Sequence, residues 1–320
     1  MTPAEGFQAL RQQLGERILG QKTLVDRLLI ALLADGHLLV EGAPGLAKTQ
    51  SIRTLSQHLE ADFHRVQFTP DLLPADITGS DIYRPETGQF TFQQGPLFHN
   101  LILADEINRA PAKVQSALLE AMAERQVTVG QTTYPLDSLF LVMATQNPIE
   151  QEGTYPLPEA QLDRFLMHVS IGYPDPHYER QILQLARQEQ RGDTPPPALM
   201  LSRELLFSAR QAAAAIYMAE AVEDYLLALI HASRGQGPYG EAVRPYISFG
   251  ASPRGSIAMD RCSRALAWLE GRDFVTPEDI RKVAGDVLRH RILLTFEAEA
   301  EGISSDQLIE KLLTTVPVSL

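Results

Sequence analysis

The sequence predicts an α/β fold: a domain built on a five-stranded parallel sheet, followed by a smaller all-α domain. Three observations predict it. Five short apolar runs in the first half are separated by stretches of helical spacing, the pattern of parallel strands joined by helices. A glycine-containing loop stands between the first run and a helical stretch. Beyond Ile171 the alternation stops and helical spacing takes over.

The first run is His37-Leu38-Leu39-Val40, the second covers residues 63–68, and the third is Leu101-Ile102-Leu103-Ala104. The fourth covers residues 139–144 and the fifth residues 165–171. They are continuously apolar, as strands covered on both faces must be. Between residues 111 and 125, Val114, Leu118, Ala121 and Met122 repeat at helical spacing and turn one face to the core. Two segments interrupt the alternation. Residues 79–95 read as a hairpin, with 80–83 and 89–93 joined by Arg84-Pro85-Glu86-Thr87-Gly88. Residues 125–136 read as a second hairpin turning at Gly130. Gly172-Tyr173-Pro174-Asp175-Pro176 reads as a linker, which sets residues 1–172 as the α/β core and 173–320 as the helical domain. Later breaks are expected at 194–197 and 235–240, and no internal repeat is present.

A chain of 320 residues suggests two domains at roughly 100–200 residues each. Its 44% hydrophobic and 21% charged content lie in the globular range, so a sizeable core is available. The net charge of −12 disfavours non-specific binding along nucleic acid, which draws on clustered Lys and Arg. The one cysteine, Cys262, reads as a buried small residue and fits a reducing compartment. Neither an N-terminal apolar run nor a stretch of about 20 apolar residues is present, so a soluble, cytoplasmic protein is expected.

The chemistry is concentrated in three places. Gly42-Ala43-Pro44-Gly45-Leu46-Ala47-Lys48-Thr49 lies between a strand and a helix, the context of a phosphate-binding loop. Its backbone N–H groups and the helix N-terminus cradle phosphate oxygens. Lys48 is expected to reach the outer phosphates and the Thr49 hydroxyl to bind magnesium. Ala47 stands where glycine is expected, and a positive φ there would strain it. Asp105-Glu106 follows the third run directly, at the carboxyl end of a central strand where α/β sheets bind ligands. Asp105 is assigned to magnesium and Glu106 to the attacking water, roles that suit phosphoryl transfer. Asn147 follows the fourth run and could touch both water and phosphate, with its neighbour Gln146 as the rival. His99, His168, His231 and His290 show no metal-ligand spacing and read as structural. Trp268 reads as core.

These motifs resemble the MoxR family of AAA+ ATPases. The match includes residues 42–49 with their Ala47, residues 103–111, residues 144–148, and Leu157-Pro158-Glu159-Ala160-Gln161-Leu162-Asp163-Arg164-Phe165. Gly250-Ala251-Ser252-Pro253-Arg254 and residues 275–280 continue it over nearly the whole chain. In this light Ala47 is a family trait. The resemblance implies ATP and Mg2+ as cofactors and nucleotide contacts running from Gly42 through Gln50. It implies an adenine-contacting segment at Ile18, Gly20 and Gln21. Arg164 is similar to an arginine finger, which crosses to the neighbouring subunit's outer phosphate. Arg254 is similar to the second sensor on the helical lid, with Arg109 and Arg125 as further candidates for contacts across the interface. The two hairpins resemble inserts that face the central pore in related rings. The implied assembly is a hexameric homo-oligomer doing chaperone-like work on client proteins, often von Willebrand factor A domain proteins.

Three other readings share part of this pattern. A nucleic-acid motor related to replicative helicases is opposed by the acidic balance. A non-catalytic scaffold is opposed by the intact Lys48, Asp105, Glu106 and Arg164. A metal-chelatase motor subunit would need a porphyrin partner.

Overall fold

The computed structural model describes residues 1–148, 153–191 and 199–318; the break expected at 194–197 lies outside them. The chain opens with α1 (Pro3–Arg17) and α2 (Lys22–Leu33). Local chemistry starts α1: the Thr2 hydroxyl accepts from the Glu5 N–H, and the Glu5 carboxylate accepts from the Thr2 N–H. There follow β1 (Leu38–Glu41), α3 (Lys48–Gln57), β2 (Phe63–Gln67), α4 (Pro74–Thr78), β3 (Gly79–Arg84), β4 (Gln89–Gln94) and β5 (Leu101–Asp105). Then come α5 (Ala112–Glu124), β6 (Gln126–Val129), β7 (Thr132–Pro135), β8 (Leu141–Gln146), α6 (Glu159–Leu162) and β9 (Met167–Ser170). The remainder comprises α7 (Pro176–Gln190), α8 (Arg203–Ala214), α9 (Glu220–Ala232), β10 (Ile247–Phe249), α10 (Pro253–Leu269), α11 (Pro277–Leu288), β11 (Leu293–Leu294), α12 (Phe296–Ala300) and α13 (Ser305–Thr315).

The five expected strands form one parallel sheet in the order β2-β5-β8-β1-β9. Its three central strands bury alternate side chains in two different clusters. Leu38, Val40, Leu101, Leu103, Leu141 and Met143 pack with α1, α2 and α3. Leu39, Ile102, Ala104, Val142 and Ala144 pack with Val114, Leu118 and Met122 of α5. The two-residue period of a strand thus supplies both faces from one apolar run. Each fully buried Leu or Val contributes about 1.5–3 kcal/mol. A charged side chain at Leu103 would be buried without a partner and would disrupt the sheet.

Both expected hairpins are present, β3 with β4 and β6 with β7. They meet through aromatic side chains. Phe92 stacks on Tyr134 at 4.2 Å between centroids, and Phe98 stands edge-on to both rings.

Among the described residues beyond 172, the regular structure is helical apart from a short antiparallel ribbon of β10 and β11. Its helices join the α1–α3 side of the sheet, where α10 packs on α2 and α8, and α11 on β9. One apolar cluster runs from β1 through α2 into Met259, Leu266, Ile280 and Val283. Trp268 stands edge-on to Phe7 at 5.4 Å, partly buried against that cluster. Cys262 is buried within it, and burial pushes its thiol up to about 12, which leaves it unreactive.

His37, just before β1, couples this packing to pH. Its Nδ1 accepts from the Val142 N–H at 3.0 Å, and its Nε2 lies 3.2 Å from the Met122 carbonyl. Those partners suit a neutral ring with the proton on Nε2. Burial, reinforced by Arg125, pushes its pKa down to about 4. Burial also lowers that of His290. As pH falls below about 6.5 the unfolded chain takes up a proton that the folded ring refuses, at a cost of up to about 1.4 kcal/mol per pH unit. Guanidinium midpoints should therefore drop between pH 7 and 4.5, and His37→Gln should flatten the drop. A slope unchanged in that variant would assign the acid sensitivity to other groups.

Candidate active site

The loop after β1 is shaped by backbone constraints before any ligand is considered. A Cβ on Gly42 would lie 2.6 Å from Ile171 Cγ1 and 2.7 Å from the Ile171 carbonyl oxygen, so only glycine fits. Gly45 has φ +83°, and Ala47 is left-handed at φ 59°, ψ 16°. For alanine that conformation costs roughly 1–2 kcal/mol. The strain anticipated at Ala47 is therefore present. It lets the chain turn into α3, whose first turn carries Lys48, Thr49 and Gln50. Ala43 and Leu46 are buried and anchor the loop, while Pro44 and Gly45 are exposed at its rim. Lys48 Nζ donates to the carbonyls of Gly42, at 2.6 Å, and Gln146, at 3.1 Å. The ammonium thereby ties the loop to the carboxyl end of β8.

The acidic pair sits two strands away, at the end of β5. Thr145 on β8, 1% exposed, holds both members. Its hydroxyl donates to Asp105 Oδ1 at 2.5 Å and accepts from the Glu106 N–H at 2.9 Å. Asp105 Oδ2 accepts from Arg65 Nη2 at 2.7 Å and Nε at 3.1 Å, across the β2–β5 pairing. Glu106 is left-handed at φ 57°. Its Oε2 accepts from Gln67 Nε2 at 2.8 Å and lies 3.2 Å from Arg109 Nε. Asn147 is buried at the same carboxyl edge, one residue past β8. Its neighbour Gln146 contributes its carbonyl to Lys48.

The structure thus gathers Lys48, Asp105, Glu106 and Asn147 at the ends of three adjacent strands. Among the described residues no group of three His, Cys, Asp or Glu could hold a metal. Magnesium needs none, since it takes one or two protein oxygens and fills its octahedron with phosphate and water. The Thr49 hydroxyl and Asp105 Oδ1 fit that donor set.

Beside the phosphate loop lies a cavity of about 230 Å³, whose lining includes Leu19, Gln21, Leu46, Gln50, Pro174 and Ile182. Its largely apolar lining, with Gln21 and Gln50 as polar groups, suits an aromatic base. Gln21 is held there by donating to the Gly172 carbonyl at 2.8 Å. The other two residues expected in this segment lie elsewhere. Ile18 is 1% exposed in the core, and Gly20, at φ +74°, faces the adjoining groove beside Tyr178. Leu19 and the α7 residues Ile182 and Leu185 line the cavity, and sequence reading had not singled them out. The apolar positions of α7 were a usable signal, because Ile182, Leu185 and Ala186 fall at helical spacing in a largely polar helix.

A second cavity, of about 410 Å³, shares no lining residue with the first. Arg125, Arg164, Arg254, Arg261 and Arg291 line it, together with Asp35 and Asp163. Arg164 Nη1 donates to the Leu119 carbonyl at 2.6 Å, and its buried Nε has no acceptor among the described residues. Arg254 is 56% exposed, with Nη1 3.8 Å from Asp163 Oδ2. Arg125 pairs with Asp35 at 2.7 Å, whereas Arg109 belongs to the acidic pair.

Comparison with known proteins shows the family. Residues 37–167 match the family described as ATPases associated with various cellular activities (AAA), and residues 240–312 match the AAA lid domain. The chain is 48% identical to Chaperone MoxR1 of Mycobacterium tuberculosis, over 93% of this chain and 78% of that protein. It is 34% identical to protein MoxR of Methylorubrum extorquens, over 96% and 93%. A crystal structure from Cytophaga hutchinsonii, at 48% identity, superposes with a TM-score of 0.91 over 99% of this chain and 96% of that one.

Two substitutions test the local geometry. Ala47→Gly relieves the left-handed strain and should raise unfolding stability by about 1 kcal/mol. A lower melting temperature would show that the Ala47 methyl contributes packing that outweighs the strain. Gln67→Ala releases a Glu106 lone pair that is committed to an amide. Basal phosphate release should rise about two- to tenfold, the equivalent of one neutral hydrogen bond. A fall would mean that Gln67 aligns Glu106 for catalysis instead of restraining it.

Proposed function

This chain belongs to the MoxR family of AAA+ ATPases, and from that premise we propose that it hydrolyses ATP with magnesium in a closed homo-oligomeric ring, each site being shared by two subunits. In this reading residues 1–172 are the nucleotide-binding core and residues 173–320 the lid. The adenine enters the cavity at Leu19, Gln21 and Ile182. The loop amides, from Gly42 onward, and Lys48 hold the phosphates. Thr49 and Asp105 hold magnesium, which when bound neutralises charge on the outer phosphates. Glu106 turns from Gln67 to accept a proton from water, and Asn147 orients that water against the terminal phosphate.

One observation carries the division of the site between subunits. Arg164 and Arg254 line one cleft, and that cleft shares no residue with the cavity beside the chain's own phosphate loop. In this reading the cation at the outer phosphate comes from a neighbour, and head-to-tail contacts close into a ring. A hexamer is the assembly the family suggests. The work proposed is chaperone-like remodelling of client protein complexes, with von Willebrand factor A domain proteins as candidate clients. The hairpin of β3 and β4 presents Tyr83 and Phe90, both exposed, as a surface for such a client. Among the described residues no helix is long and apolar enough to cross a membrane, and we place the protein in the cytoplasm.

Glu106→Gln should retain ATP and hydrolyse it very slowly. Arg164→Ala should lower turnover by on the order of 10³-fold, the scale of an arginine finger. Mixing the two variants pairs the intact Glu106 of one with the intact Arg164 of the other, at about one site in four of a random ring. Phosphate release should recover on mixing. No recovery, in rings whose subunits demonstrably exchange, would show that Arg164 does not act across an interface.

A further inference from the structure

Arg291, in the turn after α11, is 2% exposed in its side chain and uses every donor it has. Nε donates to Asp163 Oδ1 at 2.8 Å. Nη2 donates to the carbonyls of Asp163, at 3.2 Å, and Phe165, at 2.6 Å. Nη1 donates to the carbonyls of Leu166, at 3.2 Å, and Val287, at 2.5 Å. Three of these acceptors are backbone groups on either side of Arg164. A guanidinium presents five N–H groups in a rigid fork, so this arrangement fixes both the path and the orientation of the chain it grips.

Asp163 extends the grip to the second arginine. Its Oδ2 accepts from the Ser252 hydroxyl at 2.8 Å, and that same hydroxyl caps α10 by accepting from the Arg254 N–H at 3.1 Å. Gly255 makes room for the passage of Arg291 beneath α10. A Cβ there would stand 2.9 Å from Ala251 Cβ and 3.3 Å from Arg291 Cδ. Arg164 comes from the sheet domain and Arg254 from the helical part, yet one carboxylate and one guanidinium lock their backbones together.

We propose that Asp163 and Arg291 are positioning residues that hold Arg164 and Arg254 as a single two-pronged unit offered to the neighbouring subunit's triphosphate. The inference rests on the shared-site reading above. It adds that the lid acts on hydrolysis through the spacing of these two cations. A buried, fully bonded pair suits the task because removing one partner leaves the other uncompensated, so the unit holds or fails as a whole.

The test uses the full chain with Asp163→Asn and Arg291→Lys. Lysine keeps the charge but cannot span the acceptors on both sides of Arg164. Each variant should lower kcat by about 10²-fold, the effect of a displacement near 1 Å, while KM for ATP stays within about twofold. In an Arg164→Ala background Asp163→Asn should add less than about twofold, because the two changes disable one unit. Asp163→Asn subunits should regain turnover when mixed with Glu106→Gln, and should gain none when mixed with Arg164→Ala. A merely unstable subunit would not regain turnover by mixing. Multiplicative losses with Arg164→Ala, or a raised KM at unchanged kcat, would overturn the proposal. Recovery of the Arg164→Ala and Glu106→Gln mixture without recovery of the Asp163→Asn and Glu106→Gln mixture would overturn it alone. Failure of both mixtures would remove the shared-site reading itself.

Discussion

The parallel pairing of β1, β8 and β5 brings three chain segments to one edge of the sheet, and each arrives with its chemistry at the last residue or just beyond. Leu38 pairs with Met143 and Leu103 with Met143, so the register of the whole centre is fixed by side chains buried on both faces. A slip of one residue would exchange the two apolar clusters and turn Thr145 away from the acidic pair. Lys48, Thr145, Asp105 and Glu106 therefore depend on the same packing. The Thr145 hydroxyl, bonded on both sides, converts that register into a defined geometry at the carboxylates.

Around this edge, charge is divided. Asp105 and Glu106 are met by Arg65 and Arg109, whereas Arg125, Arg164, Arg254, Arg261 and Arg291 line a different cleft. A net charge of −12 makes that basic cleft stand out. Carboxylates stand among its arginines: Asp35 pairs with Arg125 and also with Arg210 outside the cleft, and Asp163 bridges Arg291 and the neighbourhood of Arg254. Burying a guanidinium is costly unless its donors are bonded, and Arg291 bonds all of its own with backbone carbonyls and Asp163. The same bonds stitch the end of α11 to the segment leading into β9, so the helical part meets the sheet where the chain carries Arg164.

The gaps in the sequence reading share one cause. Arg65, Gln67 and Thr145 touch the acidic pair from neighbouring strands, about forty residues away in the chain. No local pattern marks them, because strand order decides which side chains become neighbours. Leu19 and Ile182 meet across the base cavity for the same reason. Ile18 and Gly20 fall outside that cavity because alternate residues of this tight turn face different directions: Leu19 and Gln21 line it, whereas Ile18 and Gly20 line the adjoining groove.

The sequence by itself determined the strands, the central ones through apolar runs that only a doubly covered sheet can bury, and both hairpins, through their turn residues. It also determined the phosphate loop, because Gly42 through Thr49 constrain their own backbone, and the acidic pair, because it abuts its strand. Tertiary structure alone decided what each of these groups touches. It put Arg254 beside Arg164, tied both to Asp163 and Arg291, and bound Glu106 to Gln67. Local backbone preference is written within a few residues, whereas contact across a sheet or between a sheet and a helix is a property of how distant segments pack.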